Sequence, residues 1–404
     1  MKKLMTLALC VATVGTMSAQ KENVDAAKKL SGKPDKIEDA RNLIKQAIAD
    51  PSTANDALTY YTAGKIEFDA FDKQFQSAMI NPESVDKAKM AEELLNGYNY
   101  FLQAVPLDQV PNAKGEVKPK YTKDIVNKLA GHSIDYFNGG GAMWEAKRFY
   151  PEAYQCFMIY ADMPDMELLG KSAPKTAPGD RAQSYFNAGL AAYSGNSLDE
   201  AAAAFHKSQE YGFDDPNAYI YELACWQNIA MNDSTRQNLA QDKIYATAKA
   251  GFDKYGMDQP VFLNNLVNTY VMEEKYDDAL NTVNSIMSSN PNNPNLLGLR
   301  AFVYDRAGKD AESLADYQAA AAIDTCDYET LVNAAKKMYR VAANRLGNLD
   351  PRDQAGKQEI RATLFEPGLA IANRAKQLNP QDSYDVDTVI DSYNYAIETY
   401  YPAR

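Results

Sequence analysis

The sequence predicts an all-α fold, an α-α superhelix in which helix-turn-helix repeats stack side by side. The first reason is a period, because Tyr270 and Tyr304 occupy the same place in two helical patterns and lie 304 − 270 = 34 residues apart. The second is that Pro260, Pro294 and Tyr328 open successive units at this same spacing. The third is length, because 404 residues exceed the roughly 250 to 300 at which one hydrophobic core stops growing. A repeat array satisfies this limit, since each unit packs only on its neighbours.

The units share small and aromatic side chains at fixed offsets. Where two helices must approach closely, three consecutive units have Leu266 and Val267, Arg300 and Ala301, and Ala334 and Ala335. The other matched positions are Tyr276, Ala279, Val283 and Pro291; Gly308, Tyr317, Ala320 and Ile323; and, upstream, Tyr185, Gly189, Leu198, Ala201 and Phe205, and Phe137, Gly141, Trp144, Tyr150, Ala153 and Phe157. This pattern resembles the tetratricopeptide repeat (TPR), a 34-residue helix-turn-helix unit with such residues at fixed offsets. The resemblance implies a concave face that binds a partner.

These patterns divide the chain into segments. The 216–259 unit has 44 residues, ten more than 34, and its polar run from Asn232 to Gln241 predicts an enlarged loop between two helices. The predicted segments are a signal peptide at 1–19, a flexible segment at 20–34, divergent N-terminal helical repeats at 35–133 with a proline-rich loop at 106–119, TPR units at 134–382 (about 134–167, 182–215, 216–259, 260–293, 294–327 and 328–382), and a C-terminal capping helix at 383–404.

The N-terminus has the layout of a secretory signal peptide. Lys2 and Lys3 precede the apolar run from Leu4 to Val14, and small residues follow up to Ala19. We therefore predict an exported protein, with the periplasm as the first choice and an extracellular or outer-membrane-associated location as alternatives. Past the signal, no stretch approaches the roughly twenty consecutive apolar residues of a membrane-spanning helix, so the mature chain is predicted to have no membrane span.

Charge limits the class of partner. The formal net charge is −12, and removal of the two signal lysines gives −12 − 2 = −14. Nucleic acid binding needs a clustered basic face, which no run of this sequence supplies, so nucleic acid is not a predicted partner. The same argument disfavours adhesion to an anionic membrane surface.

Residues with catalytic or metal-binding chemistry are few and scattered. His132 and His206 lie on helical patterns with no paired nucleophile, which favours structural or solvent-facing roles. No Cys or His falls at a spacing that closes a zinc site. An acidic cluster near the C-terminus lacks the loop glycine and terminal glutamate of an EF-hand, which favours helix capping over calcium binding; its members are Asp382, Asp385, Asp387 and Asp391. The sequence therefore predicts no enzyme, no metal site and no cofactor.

Two further patterns are interpreted as structural. Cys156, Cys225 and Cys326 remain after the signal is removed, and their apolar helical surroundings favour buried free thiols over a disulfide framework. The glycines from Gly139 to Gly141 lie on a helical pattern, so we interpret them as places where helices approach closely rather than as a phosphate cradle.

The resemblance to TPR proteins implies that first-helix residues face a concave groove. The corresponding positions are Phe186, Asn187, Leu190 and Tyr193 in the 182–215 unit, Asn264, Asn265, Asn268 and Val271 in the 260–293 unit, and Asn295, Phe302, Asp305 and Arg306 in the 294–327 unit. An amide both donates and accepts hydrogen bonds, so a row of asparagines fits the backbone of an extended peptide. We therefore predict a non-catalytic scaffold or adaptor that binds a protein or peptide of the cell envelope. The alternative is a soluble glycan-binding receptor component of a nutrient-uptake system.

Overall fold

The computed structural model describes residues 20–112, 114–381 and 383–401, and the predicted signal peptide at 1–19 lies outside them. All regular structure in these ranges is helical, which confirms the all-α prediction. The chain divides into two compact units, residues 1–237 and 238–404. No helix within the described ranges combines the length and the apolar composition that crossing a bilayer requires.

The described part of the first unit contains ten α-helices that pack mainly on their neighbours in sequence. Its core is continuous from α3 to α9 and is built from apolar side chains such as Phe68, Phe101 and Phe157. The helices are α1 (20–31), α2 (Ile37–Ala49), α3 (Ala57–Ile80), α4 (Lys87–Asp108), α5 (Thr122–Gly131), α6 (Ser133–Glu145), α7 (Tyr150–Asp162), α8 (Pro178–Ser194), α9 (Leu198–Glu210) and α10 (Asn217–Asn232).

The second unit begins within the first turn of α11 and also consists of helices stacked in sequence order. Its elements are α11 (Gln237–Tyr255), α12 (Pro260–Met272), α13 (Tyr276–Met287), α14 (Pro294–Arg306), α15 (Asp310–Ala321), α16 (Tyr328–Gly347), α17 (Gln354–Ile360), a short π-helical segment (Arg361–Phe365), α18 (Glu366–Leu378) and α19 (Ser383–Tyr400).

Side-chain caps start several of these helices. The carboxylate of Asp86 accepts hydrogen bonds from the backbone N–H groups of Ala88 and Lys89 at the start of α4. In the second unit, Asn293 caps α14 and Asp327 caps α16 in the same way. Each cap satisfies backbone donors that have no partner inside the helix, typically worth about 1 kcal/mol. The caps therefore fix where the helices of the repeat begin.

Close helix pairs of the TPR type are present in both units. Gly189 of α8 lies against Phe205 of α9, and a Cβ atom at this glycine would come within 2.6 Å of the ring. Ala301 of α14 and Tyr317 of α15 have the same separation, 317 − 301 = 205 − 189 = 16 residues, and both are buried. A small residue on the first helix thus makes room for a ring on the second. The packing follows the sequence pattern and gives the protein a TPR-type fold.

In the 134–167 unit, the position predicted for close helix approach is wrong by one residue. The glycine against Phe157 is Gly140, where an added Cβ would lie 2.9 Å from the ring, whereas Gly141 has open space around it. Gly139 instead approaches Ala91 of α4. The interpretation of these glycines as sites of helix contact is therefore confirmed for Gly139 and Gly140 and is wrong for Gly141.

Two segments predicted to be irregular are helical. Residues 20–31 form α1 rather than a flexible segment, because Val24 and Ala27 are buried against α2 and α3. The enlarged loop predicted from Asn232 to Gln241 is also wrong, because α10 ends at Asn232 and α11 already begins at Gln237. The extra ten residues of that segment lengthen the helices instead of the loop.

The proline-rich loop begins later than predicted, because α4 continues through Pro106 to Asp108. The carboxylate of Asp108 then accepts hydrogen bonds of 2.8 to 2.9 Å from the backbone N–H groups of Lys120, Tyr121 and Thr122 and from the Thr122 hydroxyl. Burial acts to raise the pKa of Asp108, but these donors stabilise the carboxylate and hold the pKa below its usual value. One side chain therefore ties together both ends of the loop.

The C-terminal helix covers α16 and α18. Tyr393 of α19 is fully buried, and its hydroxyl donates a hydrogen bond of 2.7 Å to the backbone oxygen of Ala335 in α16. A Cβ atom at Gly368 of α18 would collide with the Tyr393 ring, so a glycine is required there. Burial raises the pKa of the Tyr393 hydroxyl. This helix closes the apolar surface that the last repeat would otherwise expose.

The three cysteines of the described ranges are buried free thiols, as predicted. Burial raises the pKa of Cys156 and Cys225 to about 12 and that of Cys326 to about 11. Thiols with such high pKa values stay protonated at neutral pH and pack as small apolar groups.

Candidate functional site

A polar cleft of about 250 Å³ opens between the first helices of three successive repeats in the second unit, α12, α14 and α16. We call it the amide cleft because four asparagines line it. Four predicted groove residues, Asn264, Asn268, Asn295 and Phe302, lie here together. The other lining residues are Pro260, Gly298, Leu299, Tyr317, Asp327, Glu329, Thr330 and Asn333.

Helical spacing places these groups on one surface. Asn264 and Asn268 are four residues apart on α12, so their side chains project from the same face, and both are exposed. The floor of the cleft depends on Gly298 of α14, where an added Cβ would lie 2.6 Å from the Thr330 side chain of α16. This close approach of α14 and α16 brings Asn333 to the same cleft as the asparagines of α12 and α14.

Asn295 has an unused hydrogen-bonding group in this cleft. Its side-chain oxygen Oδ1 is buried and has no hydrogen-bond partner among the described residues. Its backbone N–H donates to the Asn293 side chain, which caps α14. Native proteins rarely leave a buried polar atom unpaired, so an unpaired acceptor that lines a cleft points to a ligand or ordered water.

The cleft has an acidic character. Asp327 and Glu329 line it, and neither lysine nor arginine is among its lining residues. The Asp327 carboxylate accepts a hydrogen bond of 2.7 Å from the backbone N–H of Thr330, and Glu329 is exposed in the first turn of α16. Burial and, to a smaller extent, the charge of Asp305 raise the pKa of the Tyr317 hydroxyl, which is therefore neutral. Among the described residues that line the cleft, the formally charged side chains are both carboxylates.

Four of the predicted groove residues in the second unit lie elsewhere. Val271 is 4% exposed and belongs to the core, so its assignment to the groove is wrong. Asn265 donates its amide to the backbone oxygen of Val261 one turn earlier in α12. Asp305 forms ion pairs with two cations of α16, and Arg306 is exposed but does not line the cleft.

The predicted groove residues of the first unit form an aromatic cluster. Phe186 of α8 stacks on Phe213 with ring centroids 4.4 Å apart, and it also contacts the ring of Phe205. Tyr193 meets the Tyr221 ring of α10 at 5.8 Å. The other two predicted residues are Leu190, which packs against this cluster, and Asn187, whose amide oxygen accepts a hydrogen bond from Gln183.

Sequence reasoning missed Asn333, Leu299 and Glu329. The repeat register carried a signal for all three. Leu299 and Asn333 occupy the sixth position of their units, as the predicted residue Asn265 does, and Glu329 occupies the second position, as Asn295 does (329 − 295 = 34).

The other candidate residues have structural surroundings. His132 lies between two carboxylates, with Nδ1 2.8 Å from Asp135 and Nε2 3.3 Å from Asp72. Of the C-terminal acidic residues, Asp385 pairs with Lys336 and Asp387 with Lys376, while residue 382 lies outside the described residues. Within the described ranges, no group of three or more His, Cys, Asp and Glu side chains is arranged to hold a metal ion.

Comparison with solved structures finds TPR proteins that are similar to this chain. No family model and no curated protein matches it. Among solved structures it is similar to TTC0263, a thermophilic TPR protein of Thermus thermophilus, with 15% identity over 53% of this chain and 99% of that one and a TM-score of 0.35. It is also similar to YrrB, described as a TPR protein with an unusual peptide-binding site, with 18% identity over 51% of this chain and 91% of that one and a TM-score of 0.29. It is similar as well to the P58(IPK) TPR domain, with 11% identity over 95% of this chain and 100% of that one and a TM-score of 0.29.

The class of the protein follows from its own packing, in which small first-helix residues face second-helix rings at the TPR offsets. The chain is an all-α helical-repeat protein with TPR-type helix pairs.

Proposed function

We propose that this protein is an exported, non-catalytic scaffold or adaptor that binds an extended peptide segment of a cell-envelope protein in the amide cleft. One observation carries the proposal: asparagines from three successive repeats line a single cleft, and one of them, Asn295, has a buried acceptor without a partner. Residues from successive first helices are the positions at which a repeat protein presents its binding surface.

The chemistry of the cleft suits a peptide backbone. An extended peptide presents N–H and C=O groups in alternation, and an amide side chain can pair with either. Asn264 and Asn268 are exposed on the cleft wall and are available for such pairing. A glycan would favour an open aromatic face for stacking, whereas Phe302 packs against the core and Tyr317 is buried in it. A peptide is therefore the preferred ligand.

The sequence pattern of the N-terminus, with its two lysines, apolar run and small-residue exit, supports the proposed export, and export would bring the chain to partners in the cell envelope. Fractionation of cells that express the full chain is expected to place the mature protein in the periplasmic fraction with a mass corresponding to cleavage after Ala19. Retention of the uncleaved chain in the cytoplasm would contradict this part of the proposal and leave peptide binding untouched.

Peptide binding can be tested with a displayed library of random nonapeptides. Peptides selected on the wild-type protein are expected to lose about tenfold or more in affinity when Asn264→Ala and Asn268→Ala are combined, because two backbone-pairing amides are removed. The matched control combines Asn281→Ala with Asn292→Ala, two exposed asparagines that do not line the cleft. Failure to select any peptide, or equal affinity for both double variants, would rule out the cleft as a peptide site.

The partner class can be tested in living cells with a photo-crosslinking residue at position 268 and, as the control, at position 281. A crosslinked envelope protein is expected from position 268 alone. Crosslinking of the same protein from both positions would indicate contact that does not involve the cleft.

A further inference from the structure

We propose that the peptide bound in the amide cleft carries a basic side chain, lysine or arginine, that is placed against Asn295 and Glu329. This inference rests on the proposed function and specifies the ligand of the same site. Two observations support the inference: the unpaired group of Asn295 is a hydrogen-bond acceptor, and the charged residues that line the cleft are acidic.

The first step concerns hydrogen bonding. The unpaired atom of the cleft-lining residue Asn295 is an acceptor, the side-chain oxygen Oδ1, and it is buried. A ligand can satisfy it only with a donor, and the ammonium of lysine and the guanidinium of arginine are side chains with several donors and no acceptor. A carboxylate, which has acceptors only, would leave this atom unpaired.

The second step concerns charge. Asp327 and Glu329 line the cleft, and Glu329 forms no ion pair within the described part of the chain. The cations nearest in sequence to Asn295 and Glu329 already have carboxylate partners, since Arg300 pairs with Asp316 at 2.7 Å and Lys336 pairs with Asp385 at 3.3 Å. A bound cation would therefore meet two carboxylates without competition from a positive side chain on the cleft wall.

The third step excludes the opposite ligand. A peptide with an acidic residue or a C-terminal carboxylate at this place would face Asp327 and Glu329 with no lining cation to balance it. Like charges brought together in a partly enclosed cleft repel each other. The cleft therefore selects for a positive ligand group and against a negative one.

The test uses nonapeptide pools in which the central residue is fixed as Lys, Arg, Gln or Glu and all other positions are random mixtures of uncharged residues. The Lys and Arg pools are expected to bind about fivefold more tightly than the Gln pool, and the Glu pool most weakly. Raising the salt concentration is expected to weaken binding of the Lys and Arg pools and to leave the Gln pool unchanged.

Three variants assign this preference to named residues. Glu329→Gln removes one charge and is expected to erase most of the difference between the Lys and Gln pools. Glu312→Gln is the matched control, because Glu312 is also an exposed first-turn residue, in α15, and does not line the cleft. Asn295→Asp places a carboxylate where the unpaired oxygen lies, near a helix N-terminus that tolerates it, and is expected to widen the preference for the Lys pool about threefold.

The outcomes separate this inference from the proposed function. Equal binding of the Lys, Gln and Glu pools would overturn the basic ligand while peptide binding stands. A preference for Lys that survives Glu329→Gln and is not widened by Asn295→Asp would also overturn it, because the selecting charge would lie elsewhere. Absence of binding by every pool would overturn the proposed function and this inference together. Thermal unfolding of each variant shows whether it is folded.

Discussion

Two helices occupy the same place in the repeat pattern, α8 in the first unit and α14 in the second, yet their groove-facing side chains have different surroundings. On α8, Phe186 is packed against the Phe205 ring of α9 and the Phe213 ring of the turn that follows α9. On α14, Asn295 leaves a buried oxygen unpaired beside an open cleft. A place on the first helix of a repeat therefore does not by itself decide whether a side chain is available to a ligand.

The side chains of the next repeat decide whether this face is covered or open. Tyr221 of α10 covers the α8 face with a ring that contacts Phe186, Tyr193 and Phe205. In the second unit the corresponding neighbour, α16, brings Thr330 and Asn333, which are too small to fill the space. Aromatic side chains thus close one surface for stability, and short polar side chains leave the other open for binding.

The two units also differ in how they hold a buried cation, and this difference predicts the largest effect. In the first unit, Arg41 pairs with Glu67 at 2.6 Å and with Glu93 at 2.9 Å, and both glutamate side chains are 8% exposed. Arg41→Met would leave two buried carboxylates without a cation, which we expect to lower the free energy of unfolding by about 3 to 5 kcal/mol in urea denaturation.

The matched change in the second unit is Lys337→Met. Lys337 is buried, but its partner Asp310 is 67% exposed and its other partner, Asp305, keeps a second pair with Arg340. Solvent can therefore stabilise the orphaned carboxylates, and we expect a loss of about 1 to 2 kcal/mol. Equal losses for the two variants would show that partner burial does not set the cost.

Truncation of the groove-facing residues themselves is expected to cost less than the loss of Arg41. Phe186→Ala removes a ring that stacks on Phe213 and meets Phe205, so a loss of about 2 to 3 kcal/mol is expected. Asn268→Ala removes an exposed amide and is expected to change stability by less than about 0.5 kcal/mol while weakening peptide binding. Circular dichroism during urea unfolding measures both. A destabilised Asn268→Ala protein would mean that the amide supports the fold.

The sequence predicted those features that depend on residues within one helix pair. The 16-residue separation of Gly189 from Phe205 and of Ala301 from Tyr317 is local; Gly189 lies against the Phe205 ring, and Ala301 and Tyr317 are buried in one core cluster. The unit at 134–167 is displaced by one residue because two glycines in a row contact different partners, Gly139 against α4 and Gly140 against α7. A pattern of spacing cannot say which of two adjacent glycines faces which helix.

The site was harder to predict, because it depends on contacts between repeats. Asn264, Asn268, Asn295 and Phe302 reach the amide cleft, but Val271 is buried by neighbouring helices. The errors at residues 20–34 and 232–241 have a related cause. Polar composition suggested loops there, whereas helices with a narrow buried stripe keep most of their side chains in solvent and are polar for that reason.

The smallest predicted effects concern the pH dependence of stability. The contributions of Glu93 in the first unit and Asp310 in the second should change with pH in opposite directions. Burial is the main cause that raises the pKa of Glu93 above its ordinary value of 4.5, although Arg41 acts to lower it. An acid with a raised pKa favours folding when it is protonated. This stabilising contribution is full below about pH 4.5 and is lost as the pH rises through the raised value. Glu93→Gln mimics the protonated form and leaves Arg41 paired with Glu67, so it should stabilise the protein by about 1 kcal/mol at pH 7 and by nothing near pH 4.

Asp310 behaves in the opposite way. The hydrogen bond and charge of Lys337 lower its pKa below the ordinary value of 3.8, so its contribution is present above about pH 3.8 and is lost as the pH falls through the lowered value. Asp310→Asn should therefore destabilise the protein by less than about 1 kcal/mol at pH 7, because this side chain is largely exposed, and the difference should shrink in acid. Urea denaturation of both variants from pH 7 to pH 3.5 measures the two slopes. If both variants lost stability at pH 7, the Glu93 carboxylate beside Arg41 would stabilise the fold, as the Asp310 carboxylate beside Lys337 does. The contrast between a crowded buried cluster and a solvated one would then be wrong.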